Sequence, residues 1–147
     1  MGIISPVGND IARAWMNIRE GISGIGPVTE NDFTEFATRI AGEVRDFDVE
    51  EYMSMRDARR MDRFMHYGIA AAIDAVKDAG LEVTEENGHR IGVSMGAGIG
   101  GLATIEANHN KLLGSGARKV SPFFIPGSLI NMTSGNVSII CGMTGPN

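Results

Sequence analysis

Arg90-Ile91-Gly92-Val93-Ser94-Met95-Gly96 runs directly into Ala97-Gly98-Ile99-Gly100-Gly101. The first seven residues alternate small and large side chains, the pattern of a buried strand. The glycines that follow make a tight turn, and a helix is expected over about residues 102–113. Strand, glycine-rich turn and helix in that order point to an α/β protein. A buried strand needs neighbours on both sides to satisfy its amides. No second stretch reads as clearly as a strand, so the chain is expected to be part of a larger sheet.

Working outward, the strongest helical period lies at about residues 55–79. Met61, Phe64, Met65, Gly68, Ile69, Ala72, Ile73 and Val76 form its apolar face, and Gly80 fits its stop. Residues 82–89 are polar loop. Towards the C-terminus, Gly114-Ser115-Gly116 ends the second helix. Ser121-Pro122-Phe123-Phe124-Ile125-Pro126 leads into a third, mostly apolar helix over about 127–141, and residues 142–147 are turn chemistry. Towards the N-terminus, Asn9 or Asp10 can cap a helix carrying Ile11, Ala14, Trp15, Ile18 and Ile22 at helical spacing. Residues 28–55 show no long period. One short strand is expected within 37–44, with Phe33, Phe36 and Phe47 as anchors. Residues 1–10 read as a turn leaving a buried strand, so the chain is expected to be truncated.

The 147 residues suit one domain, and a domain of this size buries roughly 70% of the surface its unfolded chain exposes. With 43% hydrophobic and 21% charged residues it is neither a disordered tail nor a membrane protein. Thirteen Lys and Arg against eighteen Asp and Glu give a net charge of -5, which disfavours a nucleic-acid partner. One Cys excludes an internal disulfide, and no Cys/His set has zinc spacing, so no metal site is expected. The reading is a reducing, cytoplasmic setting. No apolar run of about 20 residues and no signal peptide is present. Glycine reaches 20 of 147, well above the average share of about 7%. These glycines sit among apolar residues, which implies close backbone packing and tight turns rather than flexible linkers.

Gly96, Gly98 and Gly101 match the letters of a phosphate-binding turn. The acidic residue of a dinucleotide site is missing downstream, so a tight turn is the preferred reading. Ile99 is a lone bulky side chain among glycines and is placed to gate a cavity. Arg56, Arg59, Arg60 and Arg63 share one face of the expected 55–79 helix. With Arg118 and Lys119 they form either a solvated surface or a dock for an acidic partner. His66 reads as a packing residue and His109 as a surface one. His89 has no partner at ligand spacing. Cys141 reads as a small buried hydrophobe. No nucleophile elbow and no working carboxylate pair is present.

Five segments occur in one order: Gly2-Ile3-Ile4-Ser5-Pro6-Val7-Gly8-Asn9, Arg60-Met61-Asp62-Arg63-Phe64, Gly96-Ala97-Gly98-Ile99-Gly100-Gly101, Ser121-Pro122-Phe123-Phe124-Ile125-Pro126 and Gly145-Pro146-Asn147. Together they resemble the β-ketoacyl-acyl-carrier-protein synthases, above all the synthase II type, over the first third of such an enzyme. The resemblance implies a thiolase-like layered αβαβα fold, here an incomplete N-terminal portion, and a homodimer. It implies condensation of an acyl-enzyme with malonyl carrier protein in fatty-acid elongation. Acyl groups would be carried on the phosphopantetheine of acyl carrier protein, with no cofactor of the protein's own. In the family the nucleophilic Cys follows the Gly-Pro-Asn turn. Cys141 precedes that turn, so no catalytic residue is assigned and residues 1–147 alone are expected to be inactive. By motif position, Ile99 matches the acyl-pocket gate and Phe124 a pocket wall contributed across the dimer. Arg56, Arg59, Arg60, Arg118 and Lys119 match basic positions that receive the carrier protein. Two alternatives stand beside this reading: a non-catalytic chain-length partner of polyketide systems, and a stand-alone carrier-protein binding module.

Overall fold

A computed structural model describes residues 1–29 and 32–147. Its core forms where helix α3, Arg63–Asp78, packs against helix α6, Met132–Cys141. Met65 and Ile69 of α3 are fully buried, with Val137 of α6 and with Val93 and Met143 from flanking segments. The approach is close because Gly68 faces Thr133. A Cβ on Gly68 would lie 2.5 Å from the Thr133 Cγ2. Gly80 takes φ 58° and ends α3 as its sequence suggests. Its amide donates to the Lys77 carbonyl and the Leu81 amide to the Val76 carbonyl, closing the last turn.

Helix α1, Ile11–Arg19, is capped by Asp10, whose carboxylate accepts from the Arg13 amide at 2.8 Å. Asn9 does not cap it; its Nδ2 donates instead to the Arg45 carbonyl at 2.7 Å. The apolar stripe read on this helix is largely uncovered: Ala14 is buried, while Trp15 is 60% exposed and Ile18 56%. Strands β1, Gly26–Pro27, and β2, Ile40–Ala41, pair antiparallel. The short strand expected within 37–44 is therefore present. Its Phe33 and Phe36 contact each other at the surface, with ring centroids 5.0 Å apart, rather than anchoring the core. Phe47 does pack inward, stacked on Tyr52 and edge-on to Tyr67.

Three expectations change. The helix read over 55–79 is two helices, α2, Met55–Ala58, and α3. Ser54 caps α2 through the Asp57 amide, and Asp62 takes an extended conformation that starts α3 afresh. The helix read over 127–141 is also two, α5, Phe124–Ser128, and α6. The carbonyls of Gly127 and Ser128, which would continue one helix, accept instead from the amides of Asp62 and Gly101. Finally, residues 91–96 run extended but form no ladder. They are held on one side only, by Gly145 N–H to the Ile91 carbonyl and Val93 N–H to the Pro146 carbonyl. Those two bonds, to a short turn, do not extend into a ladder, and among the described residues no hydrogen-bonded strand pairs with this segment.

The accessible surface is 10040 Å². A compact monomer of 15.7 kDa exposes only about 7,300 Å². The excess lies partly in exposed Trp15, Ile18, Ile99, Leu113 and Ile139. Large apolar side chains left exposed in such number favour association. Residues 1–147 expressed alone are therefore expected to self-associate and to bind a hydrophobic dye. Size-exclusion chromatography with dye fluorescence tests this. A monodisperse monomer with a cooperative thermal transition would contradict it.

Candidate functional site

Helix α4, Leu102–Ser115, opens at Gly101, which has no side chain to cap it. The cap comes from a residue distant in sequence: the Asp62 carboxylate accepts from the Thr104 amide at 2.8 Å. Asp62 is only 8% exposed, and its own amide donates to the Gly127 carbonyl. Gly101 N–H donates to the Ser128 carbonyl at 3.0 Å. The turn 59–62, the glycine loop 96–101 and helix α5 thus meet around one buried carboxylate. The approach is backbone to backbone: a Cβ on Gly127 would lie 2.6 Å from the Arg60 carbonyl, and one on Gly101 2.7 Å from the Ser128 Cα.

This geometry favours the tight-turn reading of the glycine loop. A phosphate turn needs free amides at the helix N-terminus. Here the Gly101, Leu102 and Thr104 amides are already bonded, to Ser128, Gly100 and Asp62. The loop is a tight turn that lets backbone meet backbone. Ile99 stands at its tip, 72% exposed. Phe124 is the first residue of α5 and half-buried, one turn before the Ser128 that holds the loop.

The basic residues do not lie along one helix face, because the helix breaks. Arg56 is exposed on α2, Arg59 closes α2, and Arg60 lies in the turn. The Arg60 guanidinium sits 4.6 Å from the centroid of the Phe123 ring and 3.8 Å from the Asp57 carboxylate. Arg63 begins α3 and lines a different cleft, with His66 and Tyr67. Arg118 and Lys119 are exposed in a single helical turn, Ala117–Lys119, packed on α4. Arg59 and Arg60 line a cleft of about 160 Å³ that Lys111 of α4 closes from the other side. Sequence reasoning missed Lys111, which no motif or spacing ties to residues 59–60.

His66 is the packing residue expected, its Nε2 lying 2.9 Å from the Ala58 carbonyl. His89 and His109 are exposed. Cys141 ends α6 half-buried against the core, and burial pushes its thiol pKa up. A raised pKa disfavours thiolate, the nucleophilic form. A polar cleft of about 370 Å³ between residues 5–17 and 45–52 is a further feature that the sequence did not suggest. At its edge Tyr52 donates to Asp74 at 3.0 Å, and its pKa is pushed up to about 12, by burial first and by that hydrogen bond second. Among the described residues no group of three or more His, Cys, Asp or Glu could hold a metal ion. Nor is any helix among them long and apolar enough to cross a membrane.

The arrangement of helices around an extended segment and glycine loop is that of one portion of the thiolase-like ketosynthase fold. The ishigamide ketosynthase/chain length factor superposes with a TM-score of 0.80 at 26% identity, covering 99% of this chain and 36% of that one. A complex of a type II polyketide synthase acyl-carrier protein with its ketosynthase, AntDE:AntF, gives 0.75 at 24%, over 97% and 37%.

The family is set by sequence. Residues 1–147 match the β-ketoacyl synthase, N-terminal domain, and the chain belongs to that family. The 3-oxoacyl-[acyl-carrier-protein] synthase 2 of Vibrio harveyi is 56% identical over 147 residues, which are 100% of this chain and 35% of that protein. The Staphylococcus aureus protein of the same name is 46% identical, over 100% and 36%. The chain thus spans about a third of the length of these curated relatives.

Proposed function

We propose that this chain serves in a 3-oxoacyl-[acyl-carrier-protein] synthase of the synthase 2 type. Such an enzyme lengthens an acyl chain by decarboxylative condensation with malonyl carrier protein. The observation that carries the reading is identity of 56% along the whole chain to an enzyme of that name, against 24–26% to the polyketide ketosynthases. That contrast favours fatty-acid elongation over the chain-length-partner alternative.

In this reading the chain supplies three parts. Ile99, unsupported at the tip of a loop fixed at Gly101, is the gate of the acyl pocket. Phe124 on α5 is part of its wall and is shared with a second protomer. Arg56, Arg59, Arg60, Arg118 and Lys119 receive the acidic carrier protein, which presents the acyl group on phosphopantetheine. The uncovered faces of α1, α4 and α6 lie against the rest of the enzyme and its dimer partner. By the family's motif position the attacking sulfur belongs to a Cys beyond the Gly-Pro-Asn turn, a position that Cys141 does not match. Residues 1–147 alone then show no condensation. The setting is cytoplasmic, and the substrates arrive tethered, without a cofactor of the protein's own.

The test is charge reversal in the full-length enzyme. Arg59→Glu with Arg60→Glu is expected to weaken carrier-protein binding about 10- to 30-fold at low ionic strength, and less as salt screens the pairs. The turnover number at saturating carrier protein should change much less. Binding that stays unchanged would remove the docking role. Absence of condensation by the full-length wild-type protein would remove the enzymatic reading itself.

A further inference from the structure

We propose that Lys111, Arg59 and Arg60 form one three-cation cleft that seats a carboxylate side chain of the docked carrier protein, with Lys111 as a docking residue in its own right. This rests on the docking reading above and extends it to a residue outside that set. Lys111 comes from α4, more than fifty positions along the chain from Arg59, yet all three side chains line the same cleft of about 160 Å³. The other lining residues are Met61, Thr104, Ala107, Asn108, Ser121 and Phe123, so no carboxylate is among them.

The cations are also poorly compensated. Arg60 has one ion pair, a long and exposed one with Asp57 at 3.8 Å. Arg59 and Lys111 have no ion pair among the described residues. Three positive charges line the cleft, against one buried carboxylate, Asp62, behind the Thr104 amide and one, Asp57, beside Arg60, so the cleft keeps a positive excess in a protein whose net charge is -5. Phe123 holds the Arg60 guanidinium from beneath, which limits the freedom it would lose on binding.

The donors present select among anions. Phosphate sites commonly present converging backbone amides. Here the two amides at the cleft that could do so are engaged: Thr104 N–H with Asp62, and Ser121 N–H with the Asn108 side chain at 2.8 Å. The Asn108 Nδ2 is engaged too, with the Thr104 carbonyl. With those amides engaged, the cleft offers an anion three side-chain cations and the Thr104 and Ser121 hydroxyls, but no converging backbone amides, and on that ground an Asp or Glu of the carrier protein is favoured over a phosphate.

The experiment measures binding of purified holo-acyl-carrier protein to the full-length enzyme by surface plasmon resonance at low and moderate salt. Lys111→Glu is expected to weaken binding about 3- to 10-fold with a shallower salt dependence, and Lys111→Arg to leave it near wild type. Lys77→Glu makes the same change of net charge near the far end of α3, about 20 Å along its axis from Arg63, and should have little effect. If Arg59→Glu weakens binding while Lys111→Glu matches Lys77→Glu, the three-cation cleft is wrong and the docking face stands. If neither Arg59→Glu nor Lys111→Glu weakens it, both fall. Repeating the series with apo-carrier protein, which lacks phosphopantetheine, separates the two anions. A Lys111→Glu effect that persists supports the carboxylate, and one that vanishes assigns the cleft to the phosphate and overturns it.

Discussion

Asp62→Ala is expected to lower the unfolding free energy of the full-length protein by about 3 kcal/mol, read from the denaturant midpoint at unchanged slope. The size follows from what the carboxylate does. Among the described residues it is the side chain that caps α4, accepting from the Thr104 amide, and it is 8% exposed. Removing an N-cap acceptor costs about 1 kcal/mol, up to 2. Leaving the part-buried Thr104 amide without a partner costs up to about 1–3 kcal/mol in its own right, and the two terms overlap. Asp62→Asn keeps an acceptor oxygen but loses the negative charge at a helix N-terminus, so about 1 kcal/mol is expected. Glu106→Ala, exposed on the same helix, should stay within about 0.5 kcal/mol. Should Asp62→Ala prove as mild as Glu106→Ala, the buried junction described here does not hold the three segments together.

That junction also shows which features a sequence reveals. A cap at Asn9 or Asp10, the apolar face of α3, the Gly80 stop and the tight turn at 96–101 were readable because each is decided by residues near one another in the chain. The breaks at 59–62 and 129–131 were not. Both arise because a helix carbonyl or amide is drawn to a partner on another element: Gly127 to Asp62, and Ser128 to Gly101. Local propensity around Arg59 to Met61 is helical throughout and carries no sign of this. The stripe on α1 teaches a related point. Spacing identified Trp15 and Ile18 as one apolar face, but periodicity says that a face is apolar and not what covers it. The site divides the same way. The arginine cluster was visible in sequence, while its division between two clefts and the arrival of Lys111 needed the fold.

Gly101→Ala and Gly98→Ala should behave as opposites although they lie three residues apart in one motif. A Cβ on Gly101 would lie 2.7 Å from the Ser128 Cα, 3.0 Å from its Cβ and 3.1 Å from the Asp62 Cβ. The first of these is backbone, so no rotamer change relieves it, and either α5 or the loop must move. Overpacking of this kind costs about 1–3 kcal/mol. The displacement also strains the Gly101–Ser128 hydrogen bond, worth about 1 kcal/mol, and the Asp62 cap beside it. About 3 kcal/mol of destabilisation is expected in the full-length protein. Gly98 has open space at its Cβ position and no positive φ. Its replacement by Ala should be near neutral, or stabilising by about 0.5 kcal/mol through the less free unfolded chain. A phosphate-binding loop would predict a different pattern, with losses at both positions wherever the backbone must approach the anion. Chemical denaturation of the two variants side by side distinguishes them: equal losses would contradict the packing role assigned to Gly101, and a mild effect at both would show that α5 yields easily to the loop.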